Sequence, residues 1–400
     1  MIGSPRIASE PQKFQTGNVL FITFSHLLVD TYMAFVAPLL PLLIRKFDLS
    51  YFLAGLLAAG IRLPSLLNPA IGILADNIHV QYFIIMTPAA CGLTMSLLGV
   101  APSYPILLGL ALIGGLSSTC YHVIAPVMMR HLAGAKVGRG MSFFMLGGDL
   151  AATIGPLVIL GAVDFWGLEQ TYWLLVVGVF SSLFLYARLK TVTIQRQVRT
   201  RKNSSGLKRT SKILFPLFLK LIGIYIGIAS LEAALTAFLP TYLTAKGVSL
   251  WTAGISLSLL QIGGIAGSMV AGPLSDRFGR KQVLVGMLAV LPLLMWMFIL
   301  SDGAWTIPLL IILGTFQFGV RPVILAIVHD TNSDYPAYVN GIYMMINFMM
   351  NSVMILVMGR LSDSIGLEHT YRVAAVLSVG AVLFALKLPG TRSFPSRGRA

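Results

Sequence analysis

The chain has 400 residues, of which 56% are hydrophobic and 11% charged, and its mean hydropathy is +0.83. So few charged side chains cannot cover a water-exposed surface, which excludes a soluble protein and predicts an integral membrane protein. The net charge of +15 would fit a nucleic-acid partner, but most basic residues lie in predicted loops beside the membrane, which argues against one.

Apolar runs long enough to cross a bilayer, about 18 to 25 residues each, recur twelve times along the chain. In the first half we place them at residues 19–44, 50–74, 81–100, 105–129, 141–163 and 172–189. In the second half we place them at residues 213–243, 251–274, 282–300, 306–328, 341–360 and 371–388. The predicted fold class is therefore all-α, with about twelve transmembrane helices in two groups of six.

The segments outside the apolar runs set the domain organisation. The first run is too long for the core of a signal peptide, so we expect it to remain as a membrane helix. Residues 190–212 are polar and basic, which is typical of a cytoplasmic linker. The chain is thus divided into an N-terminal six-helix bundle at 1–189, this linker, and a C-terminal six-helix bundle at 213–400.

Lys and Arg residues are distributed unevenly between the two sides of the membrane. With both termini inside, 21 of them fall in cytoplasmic segments. The outer loops hold five: Arg45, Lys46, Lys246, Arg360 and Arg372. Because Lys and Arg near membrane spans are retained on the cytoplasmic side, this count predicts that both termini are cytoplasmic.

The two halves share sequence features at a constant spacing. Residues 167–172 read G-L-E-Q-T-Y, and residues 366–371, 199 positions later, read G-L-E-H-T-Y. Residues 272–281 read G-P-L-S-D-R-F-G-R-K, and a weaker copy begins 200 positions earlier at 72–79. Two halves with the same order of helices are parallel repeats, related by an axis along the membrane normal.

Ionisable side chains within the spans are candidates for transport, because burying them in hydrocarbon is costly unless they face a cavity or a partner. His26 and Asp30 are spaced i and i+4 on the first span, so they share a helix face and can interact. Histidine titrates near neutral pH, so the pair could load and release a proton; the alternative is a buried pair that fixes helix packing. Glu232 in the seventh span is the third candidate for proton coupling. Its candidate counter-charges are Arg62, Arg321 and Lys220.

A second set of polar residues is predicted to line a substrate cavity between the halves. His122 and Arg321 stand 199 positions apart, at corresponding repeat positions, and should face the cavity at similar depth. Arg62 could bind an anionic substrate through its planar guanidinium or neutralise Asp30, and both readings stay open. The complete set is Arg62, Tyr121, His122, Asp149, Arg321, Asn347 and Asn351. For the two asparagines, hydrogen bonds between helices are the alternative.

The polar turn at 272–281 is predicted to form a gate at the cytoplasmic face. Asp276 is expected to cap or bond the start of a neighbouring helix. Arg280 is expected to pair with an acidic group and to latch the cytoplasmic side of the two halves when the cavity faces outward. In the weaker copy His79 and Gln81 replace basic residues, so that latch should be weaker. The predicted gate residues are Gly72, Asp76, Arg130, Gly272, Asp276, Arg277, Gly279, Arg280 and Lys281.

These motifs carry a family resemblance. The G-x-L-x-D-R-x-G-R-K turn, its copy and the six-plus-six plan resemble the major facilitator superfamily of secondary transporters. Residues 25–30, S-H-L-L-V-D, are similar to the S-H-L-L-x-D segment of the fosmidomycin-resistance family of efflux proteins. The likeness extends to Tyr121-His122 in the fourth span and to small residues in the fifth: Gly147, Gly148, Gly155 and Pro156. The last two partly resemble the G-x-x-x-G-P signature of antiporters, whose small face would form a tight seam between the halves.

No enzyme is predicted. The sequence has no phosphate-binding G-x-x-x-x-G-K-[ST] loop, and no set of nucleophile and base stands out. Cys91 and Cys120 lie deep within apolar spans, so we expect neither a disulfide framework nor a metal site. No cofactor is expected, and the proton gradient would supply the driving force.

The resemblance implies a proton-coupled exporter that works by antiport on small drug-like molecules or metabolites. Its expected place is the cytoplasmic membrane of a bacterium, and its expected partners are a small-molecule substrate, protons and the lipid bilayer, with the protein a monomer. Rocking of the two bundles would alternate access to a midplane cavity. One alternative is a symporter that imports an anionic nutrient or metabolite. The other is a non-transporting membrane sensor on the same scaffold.

Overall fold

The computed structural model describes residues 14–68, 71, 81–134, 136–190, 204–301, 303–331, 333 and 335–389. Within these ranges every regular element is helical and no strand is present. Eleven helical segments are long and apolar enough to cross a membrane. The predicted fold class, an all-α membrane protein, is confirmed.

Seven α-helices make up the described part of the N-terminal half. They are α1 (Thr16–Met33), α2 (Val36–Phe47), α3 (Tyr51–Gly60), α4 (Gln81–Ser96), α5 (Tyr104–Ala133), α6 (Val137–Trp166) and α7 (Leu175–Leu189). Short 3₁₀ segments follow α3, α4 and α6, at Leu63–Leu67, Leu98–Val100 and Leu168–Leu174. The second predicted span, 50–74, is described only in part: it contains α3 and the first of these 3₁₀ segments.

Seven further α-helices make up the described part of the C-terminal half. They are α8 (Ser204–Glu232), α9 (Leu239–Ala245), α10 (Leu250–Phe278), α11 (Arg280–Leu300), α12 (Thr306–His329), α13 (Pro336–Ile365) and α14 (Leu367–Leu386). A π-helical turn, Ala233–Ala237, joins α8 to α9, and a 3₁₀ turn, Gly303–Trp305, precedes α12. Because α8 begins at Ser204, the seventh span starts inside the segment that the sequence assigns to the linker.

The first and seventh spans are both broken near their middle. Pro38 has no N–H to donate to the carbonyl of Ala34, and the helix is interrupted there between α1 and α2. Pro240 likewise cannot donate to Thr236, and the chain passes through the π turn, where the N–H of Phe238 reaches the carbonyl of Ala233. Each repeat therefore begins with a helix in two parts.

Each half is a bundle with its own close helix pairs. In the N-terminal half α1 packs along α6, and α4 packs against α5 and α7. In the C-terminal half α10 packs along α12, and α8 along α14. The α10–α12 contact depends on small residues, since a Cβ at Gly263, Gly267 or Gly314 would collide with a backbone carbonyl of the facing helix.

The two halves touch through three main helix pairs: α3 with α13, α6 with α10, and α2 with α9. The first two pairs are equivalent under the repeat, as parallel repeats require. Close contacts of Gly55 with Ile355 and of Gly254 with Leu160 lie towards the outer ends of the helices, the ends predicted to face away from the cytoplasm. Within the described residues, the halves are thus joined at the ends predicted to face outwards.

Candidate functional site

A cluster of titratable side chains lies in the centre of the N-terminal half. His26 on α1 is buried, and its Nδ1 lies 2.6 Å from the carbonyl oxygen of Phe144 on α6. Its ring also stacks on the Phe144 ring, with centroids 3.9 Å apart. A carbonyl oxygen can only accept, so Nδ1 carries a hydrogen. The opposite nitrogen, Nε2, is therefore held towards Asp30.

His122 on α5 completes this cluster. Its Nδ1 lies 2.8 Å from the carbonyl oxygen of Ser118, so this nitrogen also donates. Its Nε2 is 3.2 Å from Nε2 of His26 and 3.4 Å from Oδ1 of Asp30. The predicted contact between His26 and Asp30 is present, with 3.1 Å between Nε2 and Oδ2. The sequence assigns His122 to the substrate cavity, and the structure places it against His26 and Asp30, the pair predicted to couple protons.

The Nε2 atoms of the two histidines face each other, and in a neutral ring whose hydrogen is on Nδ1 this atom carries no hydrogen. With both Nδ1 atoms donating to carbonyls, a pair of neutral rings would set two lone pairs against each other across 3.2 Å. A proton between them turns this repulsion into a hydrogen bond and gives the rings a positive charge beside Asp30. The geometry of His26, His122 and Asp30 therefore favours one bound proton.

Tyr121 does not line a cavity, contrary to the prediction. Its side chain is completely buried, and its hydroxyl donates to the carbonyl of Ile22 at 3.0 Å. Consecutive residues of a helix point about 100° apart, so His122 and Tyr121 cannot face the same cluster equally. Tyr121 instead supports the ring of His26, with ring centroids 5.8 Å apart.

The small residues of α6 pack against α1 and not across the two halves. A Cβ at Gly147 would meet the carbonyl oxygen of Thr23, and one at Gly155 would meet Ala34. Gly148 faces the cluster itself, and a Cβ there would lie 2.8 Å from Cε1 of His26. The predicted seam between the halves is thus a seam within the N-terminal half, since α1 is the neighbour of α6.

A second charged cluster joins the two halves. Glu232, at the end of α8, has a side chain only 4% exposed. Its Oε1 lies 2.7 Å from Nη2 of Arg321 on α12 and 3.3 Å from Nη1 of Arg62, which follows α3. Two of the three candidate counter-charges are therefore its partners, and Arg62 belongs to the opposite half. The guanidinium of Arg321 also lies over the ring of Phe318, 4.6 Å from its centroid.

Asp149 and the two asparagines differ in their surroundings. Asp149 on α6 is half-buried and within electrostatic reach of His26 and of Arg321, one residue from each charged cluster. Asn351 on α13 is buried, and its amide donates to the carbonyl and side-chain oxygens of Asn347 at 3.0 and 2.8 Å. The two asparagines share a helix face as predicted, but Asn351 is bonded along its own helix.

A cavity between the halves adjoins Arg62. Its lining includes Pro156 of α6, Gln261 of α10 and Ile355 of α13, together with Thr236 of the π turn. Pro156 therefore belongs to the cavity wall, whereas the sequence treats it only as a helix-packing residue. Gln261 and Thr236 are not among the residues predicted to line the cavity. Each is a polar residue within an apolar span, and that pattern could have indicated a cavity position.

The predicted cytoplasmic gate is formed within one half. Arg280 pairs with Asp276 and donates to Ser275 Oγ at 2.9 Å and to Asp330 Oδ2 at 3.1 Å, all in the C-terminal half. Among the described residues Asp276 bonds Arg280, the first residue of α11, and caps no neighbouring helix. In this structure, whose halves meet at the ends predicted to face outwards, Arg280 ties the turn between α10 and α11 to the end of α12. The latch predicted for the outward-facing state stays a prediction. Gly279 has φ +96°, a conformation that favours glycine.

The remaining gate residues contribute less to the described structure. Arg277 lies over the ring of Phe278, 5.3 Å from its centroid. Gly272 has open space at its Cβ position, so no close approach requires a glycine there. Lys281 is half-buried, and Arg130 is exposed at the end of α5. Gly72 and Asp76, and with them the weaker copy of the turn, lie outside the described residues.

The family of the chain follows from comparison with known proteins. The sequence profile of the Major Facilitator Superfamily matches residues 22–354. The chain belongs to this superfamily, whose members are transporters, and the resemblance found in the sequence is confirmed.

Two relatives are named for resistance to drugs. The fosmidomycin resistance protein of Escherichia coli (strain K12) is 24% identical over 381 residues, which are 93% of this chain and 92% of that protein. The multidrug resistance protein MdtG of Enterobacter lignolyticus (strain SCF1) is 24% identical over 277 residues, which are 66% and 65% of the two chains.

Solved structures share the fold. A bacterial homologue of the human lysosomal transporter Spinster, in an inward-facing and occupied conformation, superimposes with a TM-score of 0.76 at 16% identity, covering 95% of this chain and 97% of that one. A D-xylose-proton symporter superimposes with a TM-score of 0.75 at 17% identity, covering 95% and 99%. The protein is thus a multi-pass membrane transporter by family and fold.

Proposed function

We propose that this protein is a proton-coupled exporter of small drug-like molecules or metabolites, working by antiport and alternating access. The names of two relatives, which refer to resistance to fosmidomycin and to multiple drugs, support export. The observation that carries the proton coupling is the three-way contact of His26, Asp30 and His122. His122 is thereby added to the residues proposed for coupling, which also include Glu232.

The three-residue cluster has the chemistry that proton exchange needs. Its two imidazole nitrogens and one carboxylate bind a proton together, and histidine takes up and releases protons near neutral pH. The side chain of His122 is 41% exposed and that of Asp30 is 23% exposed, so water can reach the cluster. When the proton leaves, the charge of the cluster changes by one unit, and this change is what we propose the substrate competes with.

Proton-driven uptake into liposomes tests this proposal. The purified protein is reconstituted in proteoliposomes with an acidic lumen, and uptake of labelled fosmidomycin and of ethidium is measured. We expect Asp30→Asn and His122→Gln to lower concentrative uptake at least about tenfold, because general acid–base groups contribute factors of this order or more. Asp164→Asn, an exposed carboxylate on α6, is the control and should behave as wild type. An Asp30→Asn protein that concentrates either probe as well as wild type would overturn the proton assignment.

A second candidate function rests on the arginine pair. Arg62 and Arg321 both reach one oxygen of Glu232, and Oε2 of that carboxylate has no hydrogen-bond partner among the described residues. Two guanidinium groups offer ten N–H donors, so most remain free to grip a carboxylate or phosphate. This arrangement favours import of an anionic nutrient by symport. Movement of the anion in the same direction as the protons would identify it, and movement against them supports export.

The remaining parts of the proposal concern location and assembly. We place the protein in the cytoplasmic membrane of a bacterium, as a monomer. Both termini are placed inside because the basic residues concentrate in the predicted cytoplasmic segments. No cofactor is needed, since the proton gradient drives transport. A reporter enzyme that works only outside the cytoplasm is fused to the C-terminus to test this orientation. We expect no reporter activity, and activity would show that the orientation is wrong. A non-transporting sensor would show no flux with any of the tested probes.

A further inference from the structure

One carboxylate joins the two halves at their outer ends, and the function proposed above does not use it. Asp363, near the end of α13, accepts hydrogen bonds from the backbone N–H groups of Tyr51 at 2.6 Å and Phe52 at 3.0 Å. These are the first two residues of α3, whose N–H groups have no partner within their own helix. Ser50 caps the third N–H, that of Leu53, at 3.2 Å. The first turn of α3 is thus completed by a side chain of the opposite half.

A close approach of two backbones brings this carboxylate within reach. Gly359 stands one turn before Asp363 on α13, and a Cβ there would lie 2.6 Å from the carbonyl oxygen of Tyr51. On the facing helix, a Cβ at Gly55 would lie 3.1 Å from the carbonyl oxygen of Ile355. A glycine on each helix therefore allows α3 and α13 to pack closely.

The repeat provides a natural comparison, because Asp164 stands 199 positions before Asp363, at the same place near the end of α6. The helix that α6 faces, α10, begins after Ser249, which accepts from the N–H of Thr252 at 3.1 Å and so caps its helix as the repeat-related Ser50 caps α3. Asp164 is exposed and makes no hydrogen bond or ion pair with any residue that the structure describes. A carboxylate stands at this position in both repeats. Among the described residues, that of Asp363 contacts the opposite half and that of Asp164 does not.

A single change of side-chain size accounts for this difference. Leu160 stands 199 positions before Gly359, and its side chain packs directly on Gly254, the counterpart of Gly55. A leucine in the place of the glycine fills the space that lets the other pair of helices approach. The α6–α10 seam is consequently held by apolar contact, while the α3–α13 seam also carries the Asp363 hydrogen bonds.

We propose that Asp363 is the latch that keeps the outer side of the transporter closed, and that this latch acts on the α3–α13 seam alone. Its acceptor and its donors belong to different halves, so the bonds break whenever the halves separate at their outer ends. The carboxylate therefore stabilises only the state whose cavity is closed to the outside. A negative charge at a helix N-terminus is favoured by the helix dipole and by charge-assisted hydrogen bonds.

The latch is tested by measuring the distance between the outer ends. Spin labels are placed at Gln170 and His369, two exposed and repeat-related positions, in protein whose cysteines, Cys91 and Cys120, are replaced by serine. Pulsed electron–electron double resonance in lipid nanodiscs then gives the populations of short and long distances. We expect Asp363→Ala to raise the ratio of the long-distance to the short-distance population about tenfold. Hydrogen bonds to a charged group contribute more than neutral ones, but part of the loss is offset because the N–H groups of Tyr51 and Phe52 bind water instead. Asp363→Asn should have a smaller effect in the same direction.

Asp164→Ala is the matched control, because it removes the repeat-related carboxylate from the same side of the protein. We expect its distance distribution to equal that of wild type. Gly359→Leu copies the side chain of Leu160 into the α3–α13 seam and should favour the long distance with the carboxylate still present. If Asp363→Ala leaves the populations unchanged, or if Asp164→Ala shifts them equally, the latch is refuted. The measurement needs neither substrate nor a proton gradient, so its outcome is independent of the proposed transport function.

Discussion

Removing the charge of the buried Glu232 should destabilise the protein far more than removing the charge of an exposed glutamate whose ion pair is equally short. Glu232→Gln keeps the size of the side chain but leaves Arg321 and Arg62 without their shared counter-charge. Breaking a fully buried ion pair costs about 3–5 kcal/mol. The two arginine side chains are 39% and 32% exposed, so water compensates part of this loss. We expect a net cost of about 2–3 kcal/mol.

Glu368→Gln is the matched control for this prediction. Glu368 pairs with Arg372 at 2.6 Å, a distance no longer than the 2.7 Å between Glu232 and Arg321. Both side chains of the Glu368–Arg372 pair, however, are more than 40% exposed. Exposed pairs of this kind contribute at most about 1 kcal/mol. Burial, and not distance, is therefore expected to decide the ranking of the two substitutions.

Thermal unfolding of both variants in the same detergent measures this difference. Glu232→Gln should lower the midpoint by several degrees, and Glu368→Gln by an amount close to the error of the measurement. Adding Arg321→Gln to Glu232→Gln should recover part of the loss, because one uncompensated cation is removed. A Glu232→Gln protein as stable as wild type would refute the reasoning, and so would equal losses in the two single variants.

Three further predictions concern the first cluster. Gly148→Ala places a Cβ 2.8 Å from Cε1 of His26, so it should reduce proton-driven uptake severalfold, while Gly161→Ala on the same helix, which has open space, should not. Tyr121→Phe removes the hydrogen bond from the Tyr121 hydroxyl to the carbonyl of Ile22, which keeps its partner within α1. It should lower the free energy of unfolding by about 0.5–1.5 kcal/mol, yet uptake at saturating substrate should remain. The ligand atoms of His26, Asp30 and His122 lie close enough to accommodate a metal ion, but if a proton occupies the cluster, uptake after dialysis against EDTA should be unchanged.

The contacts that could be predicted from the sequence depend on local spacing or on charge. His26 and Asp30 meet because four residues along a helix bring two side chains to the same face. Arg62 and Arg321 are two of the three candidate partners that the sequence offers for Glu232, because few cations lie within the spans and a buried carboxylate requires one. Neither inference needed knowledge of how the helices cross.

The role of His122 could not be predicted in the same way. Its contact with His26 joins residues 96 positions apart and depends on how α5 crosses α1. The direction of each ring is set by a backbone carbonyl, that of Phe144 or Ser118, and a sequence does not show where such a carbonyl points. Tyr121, its neighbour, illustrates the same limit, since both residues are polar and only the crossing decides which one faces the cluster.

Two motifs show that a sequence pattern does not identify the helix on the other side of a contact. The small face of α6 is present as expected, but Gly147 and Gly155 pack against α1 of the same half. Arg280 finds the acidic partner that its charge requires, but Asp330 belongs to its own half. Small residues predict a close approach, and a buried arginine predicts a carboxylate. Which helix supplies the surface or the charge is a property of the complete fold.

The division of the first and seventh spans into two parts separates chemistry from movement. The inner parts, α1 and α8, carry His26, Asp30 and Glu232, whereas the outer parts, α2 and α9, contact each other across the halves. The break between the two parts of each span lets the outer part tilt relative to the inner part. The contacts among His26, Asp30 and His122 lie within one half, so they can persist when the outer ends separate, whereas the pair of Glu232 with Arg62 joins the halves and changes with them.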